Sequence, residues 1–440
     1  MALPRLHPHL IEGITNALLE IFQTGRHADK VVELTLKARS KWGARDRRFF
    51  AESVYECVRW WRRLCGVAFP ETLNPGAQNK YLDREFLTFG RVQKIWYAWF
   101  LIRNEAARHE AEFISLAKKI NVDPVAAWNS GGMARVIRES IPDWLDREGI
   151  TQLGENWPDI LSALNLPAKV YLRANRVKTS RENLQKELFK EEIITETVGN
   201  NDGHEDALKL SERKNVFITA AFKAGLFEVQ DLGSQKIVPF LGVEPGMRVI
   251  DACAGGGGKT LHMASLMDNK GKIIALDKND WRLAPLRQRA SRAGCDIIET
   301  RVITSTKIVK RLRESADRLL LDVPCTGAGV LRRSPDTKWK LTPDEMTRLL
   351  SVQQEILQNY SSMTAPGGIM VYSTCSIFPV ENQNQVAAFL NSPAGKNWEL
   401  EEELNIYPAG DTDLKPPTGG CLFLDSDGFY MARLKKTGHF

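Results

Sequence analysis

The sequence predicts an α/β protein in which a doubly wound, mostly parallel, Rossmann-like sheet follows an all-helical domain and a small α+β unit. From Pro245 onward, apolar strand-like segments alternate with amphipathic helical segments, which is typical of a parallel sheet covered on both faces. The first 140 residues instead carry apolar side chains at helical spacing, and short strand and helix signals alternate from Lys169 to Val198. We therefore expect three domains, at residues 1–140, 141–226 and 227–440.

The first domain is predicted to be helical from the spacing of its apolar residues. Between Arg47 and Cys65 apolar side chains recur every three or four positions, and charged side chains occupy the opposite face. The stretch from Leu10 to Phe22 repeats the pattern. Aromatic side chains at this spacing usually face a core, so we expect four tryptophans to pack between helices rather than to stack on bases. These are Trp60, Trp61, Trp96 and Trp99.

The later segments predict an order of strands and helices. In the small unit we expect strands at Val170–Leu172 and Ile193–Val198 and a helix at Ser180–Phe189. The strands expected in the sheet domain are Arg248–Ala252, Lys272–Asp277, Arg318–Asp322 and Ile369–Ser373. The helices expected there are Thr260–Met267, Trp281–Ala293 and Pro343–Thr364. A final hairpin is expected from Cys421–Leu424 and Gly428–Leu434.

Composition and charge favour a soluble protein that binds a polyanion. Of the 440 residues, 43% are hydrophobic and 26% are charged, which argues against disorder. The formal net charge of +6 is distributed unevenly, with a net +7 in residues 1–140 and a net +8 in residues 241–340. Two basic blocks indicate a nucleic acid as partner, and a patchy solvated surface is the alternative. The longest apolar run, Ile95–Ile102, is far shorter than the roughly 20 residues of a membrane helix.

Seven cysteines are scattered without a C-x-x-C pair, so neither a disulfide framework nor a zinc ribbon fits. The seven histidines are scattered as well and suggest no metal site. The N-terminal residues lack the apolar stretch of a secretory signal. We therefore expect a cytoplasmic, monomeric protein that contacts no membrane and holds no metal.

A glycine-rich turn joins a predicted strand to a predicted helix within Val249–Thr260. Such a turn lets a ligand approach the backbone and directs helix N–H groups toward it. A Walker loop would need glycine at Cys253, and a dinucleotide-binding loop would need glycine at Thr260. Asp277 ends the next strand twenty residues after Gly257, a separation that suits a carboxylate holding ribose hydroxyls. The arrangement favours S-adenosylmethionine, and a turn that serves only helix packing is the alternative.

Two further predicted strands each deliver a thiol beyond their carboxyl ends. The first ends at Asp322 and is followed by Cys325, and the second is followed by Cys375. Ligands of open α/β sheets bind beyond these ends, so both thiols are expected to reach one crevice. We also expect Ser376 to cap a helix whose N-terminal dipole would favour the thiolate of Cys375.

A pair of thiols beside a methyl donor suits the methylation of a cytosine ring. Carbon 5 of cytosine is a poor nucleophile and does not attack a sulfonium methyl group directly. Addition of a thiolate at carbon 6 gives an enamine-like adduct whose carbon 5 can attack. Loss of the carbon-5 proton then expels the thiolate. Asp322 could hydrogen-bond the pyrimidine in the adduct, and Cys325 could assist the elimination.

The chain resembles the RsmB/Sun family of S-adenosylmethionine-dependent RNA (cytosine-5) methyltransferases, most strongly from Phe227 to the end. The motifs that carry the resemblance are Val229–Gln235, Gly257–Thr260, Asp322–Cys325, Arg332–Trp339, Thr374–Ser376 and Asp427–Arg433. The resemblance implies a class I methyltransferase domain. With Ala44–Arg48 it also implies the NusB-like helical domain of bacterial members that act on small-subunit (16S) ribosomal RNA, and Arg173–Asn175 resembles the family's RNA-binding unit.

The resemblance also implies roles for individual residues. It makes Cys375 the nucleophile and Cys325 an aid to product release, and it assigns Lys259 and Asp322 to activation of the base. The residues implied to surround the cofactor are Cys253, Ala254, Gly255, Gly256, Gly257, Gly258, Lys259, Asp277 and Asp322.

The sequence departs from the family pattern at two places, and the second departure alone supports another hypothesis, a non-catalytic RNA-binding or assembly factor. The glycine loop usually reads Ala-Pro-Gly-Gly-Lys, whereas Gly255 and Gly256 occupy its first two positions here. The acid that usually follows the third strand has no counterpart in Glu299–Ser305. Separately, four basic side chains are expected to contact RNA phosphates, and a solvated basic loop is the alternative. These are Arg332, Arg333, Lys338 and Lys340.

Overall fold

The computed structural model describes residues 6–73, 80–199, 204–410 and 420–438. Within these ranges the chain forms two compact units. The first contains the residues up to Asn165 together with Ser334–Leu341, and the second contains Leu166–Arg333 and the residues from Thr342 onward. The first unit therefore extends past the expected boundary at residue 140. The small α+β unit and the large sheet share the second unit.

The described residues contain nineteen α-helices, eleven of them in the first unit. In chain order they are α1 (Pro8–Thr24), α2 (Ala28–Ala38), α3 (Ala44–Arg59), α4 (Trp61–Ala68), α5 (Phe89–Arg103), α6 (Ala111–Ile120), α7 (Pro124–Trp128), α8 (Arg135–Arg138), α9 (Asp143–Leu153), α10 (Trp157–Leu164), α11 (Arg181–Lys190), α12 (Ala220–Lys223), α13 (Leu232–Leu241), α14 (Gly258–Leu266), α15 (Asp280–Ala293), α16 (Thr306–Arg311), α17 (Thr337–Lys340), α18 (Pro343–Tyr360) and α19 (Gln383–Leu390). Across the described ranges, each helix is too short or too polar to traverse a lipid bilayer.

Twelve strands of the described residues form two sheets, both in the second unit. In chain order they are β1 (Tyr171–Ala174), β2 (Thr195–Thr197), β3 (Ala207–Leu210), β4 (Phe227–Val229), β5 (Arg248–Asp251), β6 (Lys272–Asp277), β7 (Ile298–Val302), β8 (Ala316–Asp322), β9 (Thr364–Thr374), β10 (Trp398–Pro408), β11 (Cys421–Leu424) and β12 (Phe429–Lys436). The first four strands make the small sheet, and the other eight make the large one.

The core of the first unit is built from apolar faces of its helices, chiefly α1, α3, α4 and α5. Trp61 and Trp96 are completely buried there and Trp99 is nearly so, which confirms the prediction that they pack between helices. The helix predicted from Arg47 to Cys65 is two helices, α3 and α4, because the backbone departs from helical geometry at Trp60.

Hydrogen bonds build the segment Ser334–Leu341 into the first unit. The carboxylate of Asp336 accepts a hydrogen bond of 3.2 Å from the backbone N–H of Ala28, the first residue of α2. A carboxylate at this position satisfies a free N–H group and complements the helix dipole. The indole of Trp339 donates to the carbonyl oxygen of Val58 in α3 over 2.7 Å. Residues that the sequence analysis assigned to the sheet domain therefore stabilise the helical unit.

The small sheet has the strand order β2-β3-β1-β4, and all its neighbouring strands are antiparallel. Leu184 and Leu188 on α11 pack against Leu172 of β1 and Phe227 of β4 in a buried core. Ser180 begins the helix, because its hydroxyl accepts a hydrogen bond from the N–H of Asn183. The helix and strands predicted for this unit agree with α11, β1 and β2 within a few residues.

The large sheet has the order β7-β6-β5-β8-β9-β12-β10-β11. Strands β5 to β9 are parallel to one another, and β12 runs antiparallel to β9. This confirms the prediction of a mostly parallel, Rossmann-like sheet. The predicted final hairpin is wrong, because β10 lies between β11 and β12 and β11 pairs parallel to β10.

The order of the parallel strands creates the crevice in which the site lies. From β5 the chain continues outward through β6 and β7, and it then returns to β8 on the other side of β5. Ligands of such sheets bind beyond the carboxyl ends of the strands at this switch point. Asp251, Asp277, Asp322 and Thr374 end β5, β6, β8 and β9. Their strands are largely buried, so these residues have fixed backbones beneath the crevice.

Candidate active site

The glycine loop connects β5 to α14, and two of its glycines have left-handed backbone angles. Gly255 has a φ of +51° and Gly257 a φ of +83°, values that residues with a side chain rarely adopt. A Cβ atom at Gly257 would also lie 2.2 Å from Cδ1 of Leu286 on α15. Glycine at 257 is therefore required both by the turn and by the close approach of two helices.

The carboxylate of Asp277 is held by the loop that it faces. One oxygen accepts a hydrogen bond of 3.1 Å from the N–H of Gly255, and the other accepts one of 2.9 Å from the N–H of Asn279. The carboxylate therefore has a fixed orientation at the rim of the crevice. A carboxylate at the end of the second strand can accept hydrogen bonds from ribose hydroxyls, as the sequence analysis expected.

Asp251 lies deeper, with only 1% of its surface exposed. One oxygen accepts a hydrogen bond of 2.7 Å from the hydroxyl of Thr260, and the other has no hydrogen-bond partner within the described part of the chain. Burial raises the pKa of Asp251 to about 7. An unpartnered buried acceptor at the floor of a cavity is suited to a polar, positively charged ligand group.

The cavity beside the loop has a volume of about 780 Å³. This falls within the range of roughly 300–1,000 Å³ that is common for small-molecule sites. It is lined by all of Asp251–Lys259, by Asp277–Asn279 and by Asp322–Cys325. Side chains of Ile303, Val352 and Ile356 supply an apolar wall. Carboxylates for hydroxyl and amino groups beside an apolar wall match the polar and aromatic parts of S-adenosylmethionine, so the residues present fit this cofactor.

Lys259 and Asp322 form an ion pair in the same cavity. The ammonium of Lys259 lies 2.7 Å from one carboxylate oxygen of Asp322, and the other oxygen accepts a hydrogen bond of 3.1 Å from the hydroxyl of Ser373. Burial opposes the charged form of Lys259, but the neighbouring Asp322 outweighs it, so the pKa of Lys259 is raised. The pair places a fixed cation and a fixed anion at the end of β8.

The two thiols meet, as the sequence analysis expected. Sγ of Cys325 lies 3.3 Å from Sγ of Cys375. The hydrogen bond to Cys375 and burial raise the pKa of Cys325 well above its usual value, so Cys325 stays protonated at neutral pH.

The expected helix cap at Ser376 is wrong. The hydroxyl of Ser376 accepts a hydrogen bond from the N–H of Phe378 over 3.2 Å, within a turn. Helix α19 begins only at Gln383, after Asn382. A helix dipole acts mainly over the first turn, so α19 does not supply the expected dipole at Cys375.

A buried polar network that the sequence analysis did not identify connects the two loops that carry the thiols. Glu381 is completely buried and accepts hydrogen bonds from the N–H (2.8 Å) and hydroxyl (2.5 Å) of Thr326, the residue after Cys325. It also accepts one of 3.0 Å from the amide of Gln353 on α18. The only signal for this network in the sequence is that Glu381 is the single charged residue between Cys375 and Lys396.

We expect Glu381→Ala to lower the free energy of unfolding by about 3 kcal/mol, because it leaves the buried N–H of Thr326 without an acceptor and leaves the Gln353 amide with only the carbonyl oxygen of Pro324. Glu381→Gln is the matched control, since one amide oxygen can still accept both bonds. Urea unfolding monitored by tryptophan fluorescence measures the difference. An alanine variant as stable as the wild type would contradict the importance of this network.

Backbone contacts also fix the position of Cys375. The N–H of Gly329 donates to the carbonyl oxygen of Cys375 over 2.9 Å, and the N–H of Gly428 donates to the carbonyl oxygen of Gly329 over 2.8 Å. A Cβ atom at Gly329 would lie 2.3 Å from the carbonyl oxygen of Gly428. Three chain segments therefore meet at a distance that only glycine allows, directly behind the thiol.

The comparisons with known proteins identify the family of this chain. The family model described as 16S rRNA methyltransferase RsmB/F matches residues 238–435, and the RsmF/B-like ferredoxin-like domain matches residues 141–217. A Bacillus subtilis protein named "Probable ribosomal RNA small subunit methyltransferase B" is 30% identical over 364 residues, which cover 77% of this chain and 79% of the relative. The chain belongs to the RsmB/F methyltransferase family.

A second relative and a solved structure are also similar to this RsmB/F family member. A Synechocystis protein with the same printed name is 34% identical over 68% of this chain and 67% of its own. The crystal structure of NSun6 from Pyrococcus horikoshii with SFG, an analogue of S-adenosylmethionine, superimposes with a TM-score of 0.58 at 22% identity, over 68% of this chain and all of that one. The NSun6 structure shows a shared fold, and membership of the RsmB/F family makes the chain a methyltransferase that uses S-adenosylmethionine.

The four basic residues expected to contact RNA lie in different environments. Arg332 is 2% exposed and donates to the carbonyl oxygen of Ser426 (2.9 Å) and the carboxylate of Asp425 (2.9 Å). Lys338 is also 2% exposed and donates to Asn165, and burial lowers its pKa well below its usual value. Because neither side chain has exposed surface, the expectation of phosphate contacts does not hold for these two in this structure.

The other two basic residues are partly exposed, but both are paired. Arg333 forms ion pairs with Asp231 (2.6 Å) and Asp427 (2.5 Å). Lys340 lies 2.5 Å from the carboxylate of Asp336. Contacts of Arg333 and Lys340 with RNA remain a proposal.

We expect Arg332→Met to lower the free energy of unfolding by about 3 kcal/mol, since it removes a buried cation from its carboxylate and carbonyl partners. The salt dependence of RNA binding should stay the same, because no phosphate contact is lost. Urea unfolding and filter binding at several salt concentrations measure both quantities. Arg313→Met, at an exposed position, is the control and should change the stability by less than about 0.5 kcal/mol. A weaker salt dependence of RNA binding in Arg332→Met than in the wild type would instead support a contact of Arg332 with an RNA phosphate.

Proposed function

We propose that the protein transfers the methyl group of S-adenosylmethionine to carbon 5 of a cytosine in 16S ribosomal RNA, in the cytoplasm and as a monomer. The single observation that carries the proposal is the contact of 3.3 Å between Cys325 and Cys375, beside the Asp322–Lys259 pair and the cofactor cavity. One thiol next to a methyl-donor site could be a packing residue. Two thiols from neighbouring strands supply the nucleophile and the second group that a carbon-5 methylation needs.

In the proposed reaction Cys375 forms a bond from its sulfur to carbon 6 of the cytosine, which gives carbon 5 the electron density of an enamine. The carboxylate of Asp322 and the ammonium of Lys259 face the same cavity and can hydrogen-bond the amino group and ring atoms of the base as charge develops there. S-adenosylmethionine, when bound, would supply the electrophilic methyl group for carbon 5 and would leave as S-adenosylhomocysteine.

Release then requires two bonds to break. Water takes the proton from carbon 5, the electron pair of that bond restores the double bond to carbon 6, and the bond from carbon 6 to Cys375 breaks with return of the thiolate. We propose that Cys325 assists this elimination. Its raised pKa keeps it protonated, so it can hydrogen-bond the departing sulfur at the observed distance.

Ribosomal RNA is proposed as the substrate from the printed names of the relatives and from charge. The Bacillus subtilis and Synechocystis relatives are both named as ribosomal RNA small subunit methyltransferases. The net positive charge of residues 1–140 is of the sign that RNA requires, so we propose that the helical unit docks the RNA. The presence of both thiols and the ion pair disfavours the non-catalytic alternative.

The experiment that tests the proposal uses radiolabelled S-adenosylmethionine and unmodified 16S ribosomal RNA transcribed in vitro. After incubation, digestion to nucleosides and chromatography identify the labelled product. We expect label in 5-methylcytidine, and a 23S transcript is the matched control that should remain unlabelled. Label in another nucleoside would contradict the proposed chemistry, and equal labelling of both transcripts would contradict the proposed substrate.

A further inference from the structure

The cofactor loop contains four consecutive glycines, Gly255 to Gly258. Glycine gains more backbone freedom than any other residue when it is not constrained, so a run of four makes an ordered loop entropically costly. When a ligand binds to backbone groups of such a loop, ordering the loop lowers the affinity, unless other parts of the protein already hold the loop in place. The structure contains side chains in the right places to do this.

Two arginines donate hydrogen bonds to carbonyl oxygens of this loop. Arg289 on α15 donates from Nη1 to the carbonyl oxygen of Gly256. Arg173 on β1 is 2% exposed and donates from Nη1 to the carbonyl oxygen of Gly258 over 3.0 Å. Arg289, which also lines the cofactor cavity, thus holds the loop at Gly256, and Arg173, which does not line it, holds the first residue of α14.

Arg289 is itself held by a buried carboxylate. Its Nε and Nη2 atoms donate to one oxygen of Glu228 on β4, over 3.2 Å and 2.9 Å. Glu228 is almost fully buried, and its other oxygen pairs with Arg292. A guanidinium carries donors on several sides of a rigid plane, so Arg289 can bond the carboxylate of Glu228 and the carbonyl oxygen of Gly256 at the same time.

We propose that Arg289, held by Glu228, is a positioning residue that orders the glycine loop for S-adenosylmethionine. Fixing the carbonyl group of Gly256 restricts the peptide planes of the loop, and this orients the neighbouring N–H groups before the cofactor arrives. Because Glu228 belongs to the small sheet, this makes the small α+β unit a support for the cofactor site. The inference concerns cofactor binding alone and is independent of the cytosine chemistry proposed above.

The test measures S-adenosylmethionine binding to the full chain by calorimetry. We expect Arg289→Lys to raise the dissociation constant by about tenfold, since a charge-assisted hydrogen bond is lost. Lysine keeps the positive charge near the loop but has a single nitrogen, which cannot bridge Glu228 and Gly256. Arg292→Lys is the matched control, because Arg292 shares the same carboxylate and helix but has no hydrogen bond to the loop among the described contacts. We expect its dissociation constant to stay within about twofold of the wild type.

Thermal unfolding without cofactor separates positioning from general damage. Both lysine variants weaken a pair with Glu228, so their melting temperatures should fall by similar amounts while only Arg289→Lys loses affinity. An Arg289→Lys variant that binds the cofactor like the wild type would overturn the proposal. Equal losses of affinity in both variants would also overturn it, because they would trace the effect to Glu228 and the fold.

A second substitution tests the role of loop stiffness. Gly256 has no left-handed backbone angle, and a Cβ atom there would meet its nearest atom at 3.5 Å, so alanine fits. Alanine reduces the freedom of the unordered loop, so Gly256→Ala added to Arg289→Lys should recover about two- to fivefold of the lost affinity. A double variant that binds no more tightly than Arg289→Lys would contradict the role of Arg289 in stiffening the loop.

Discussion

Replacement of Cys375 by alanine is expected to reduce methyl transfer to RNA by at least about 1,000-fold, because the reaction loses the group that activates carbon 5. The affinity for S-adenosylmethionine should be unchanged, since the thiol lies beside the cofactor cavity and the loop contacts do not involve it. Initial rates with radiolabelled cofactor and calorimetric titration measure the two effects separately.

Cys421→Ala is the control for this experiment. Cys421 is a partly exposed thiol at the start of β11, the outermost strand of the large sheet, and should be dispensable for transfer. Undiminished transfer by Cys375→Ala would exclude a covalent adduct through this residue. Loss of cofactor binding together with activity would instead point to a disturbed fold.

The second large effect is expected from Gly329→Ala. A Cβ atom there would lie 2.3 Å from the carbonyl oxygen of Gly428 and 2.8 Å from that of Cys375, and both are backbone atoms directly next to the ends of β12 and β9. We expect the free energy of unfolding to fall by about 2–3 kcal/mol, as in other overpacked cores. Because the displaced carbonyl belongs to Cys375, the proposed nucleophile, methyl transfer should fall by at least about tenfold in the fraction that remains folded.

Gly90→Ala is the matched control for the glycine substitution. Gly90 lies in the first turn of α5, and a Cβ atom there would meet no atom within 4 Å. Alanine is the better helix former, so this variant should be as stable as the wild type or more stable. Urea unfolding of both variants measures the difference. A Gly329→Ala variant with wild-type stability and activity would contradict the close approach of the three segments.

The sequence predicted the parts of the site that local chemistry determines. A glycine turn after an apolar strand identified the loop of Gly255–Gly258, and Asp277 was identified because it ends the next strand twenty residues after Gly257. The rule that strand ends meet at one edge of a parallel sheet brought Cys325 and Cys375 together from positions fifty residues apart. These inferences need only the period of the apolar residues and the topology of the fold.

The remaining features depend on contacts that local patterns do not encode. Arg332 and Lys338 stand in a basic stretch that is typical of an exposed loop, yet each is buried by segments distant in sequence. The helix expected after Ser376 fails because Thr374 and Asn382 bond to each other and hold the chain in a turn. Strand β10 was not predicted because its exposed first half is rich in acidic residues, which are less common in strands. Since β10 lies between β11 and β12 in the sheet, these two strands do not form the expected hairpin.

The most direct test of the proposed reaction is to mix Cys325→Ala with 16S ribosomal RNA and S-adenosylmethionine and to look for a protein–RNA complex that survives a denaturing gel. The alanine cannot assist elimination, so we expect the complex to accumulate, and mass spectrometry of the digested complex should locate the attached nucleotide on Cys375. Cys325→Ala combined with Cys375→Ala should form no such complex. Efficient turnover by Cys325→Ala without a trapped complex, or attachment at another residue, would contradict the proposed reaction.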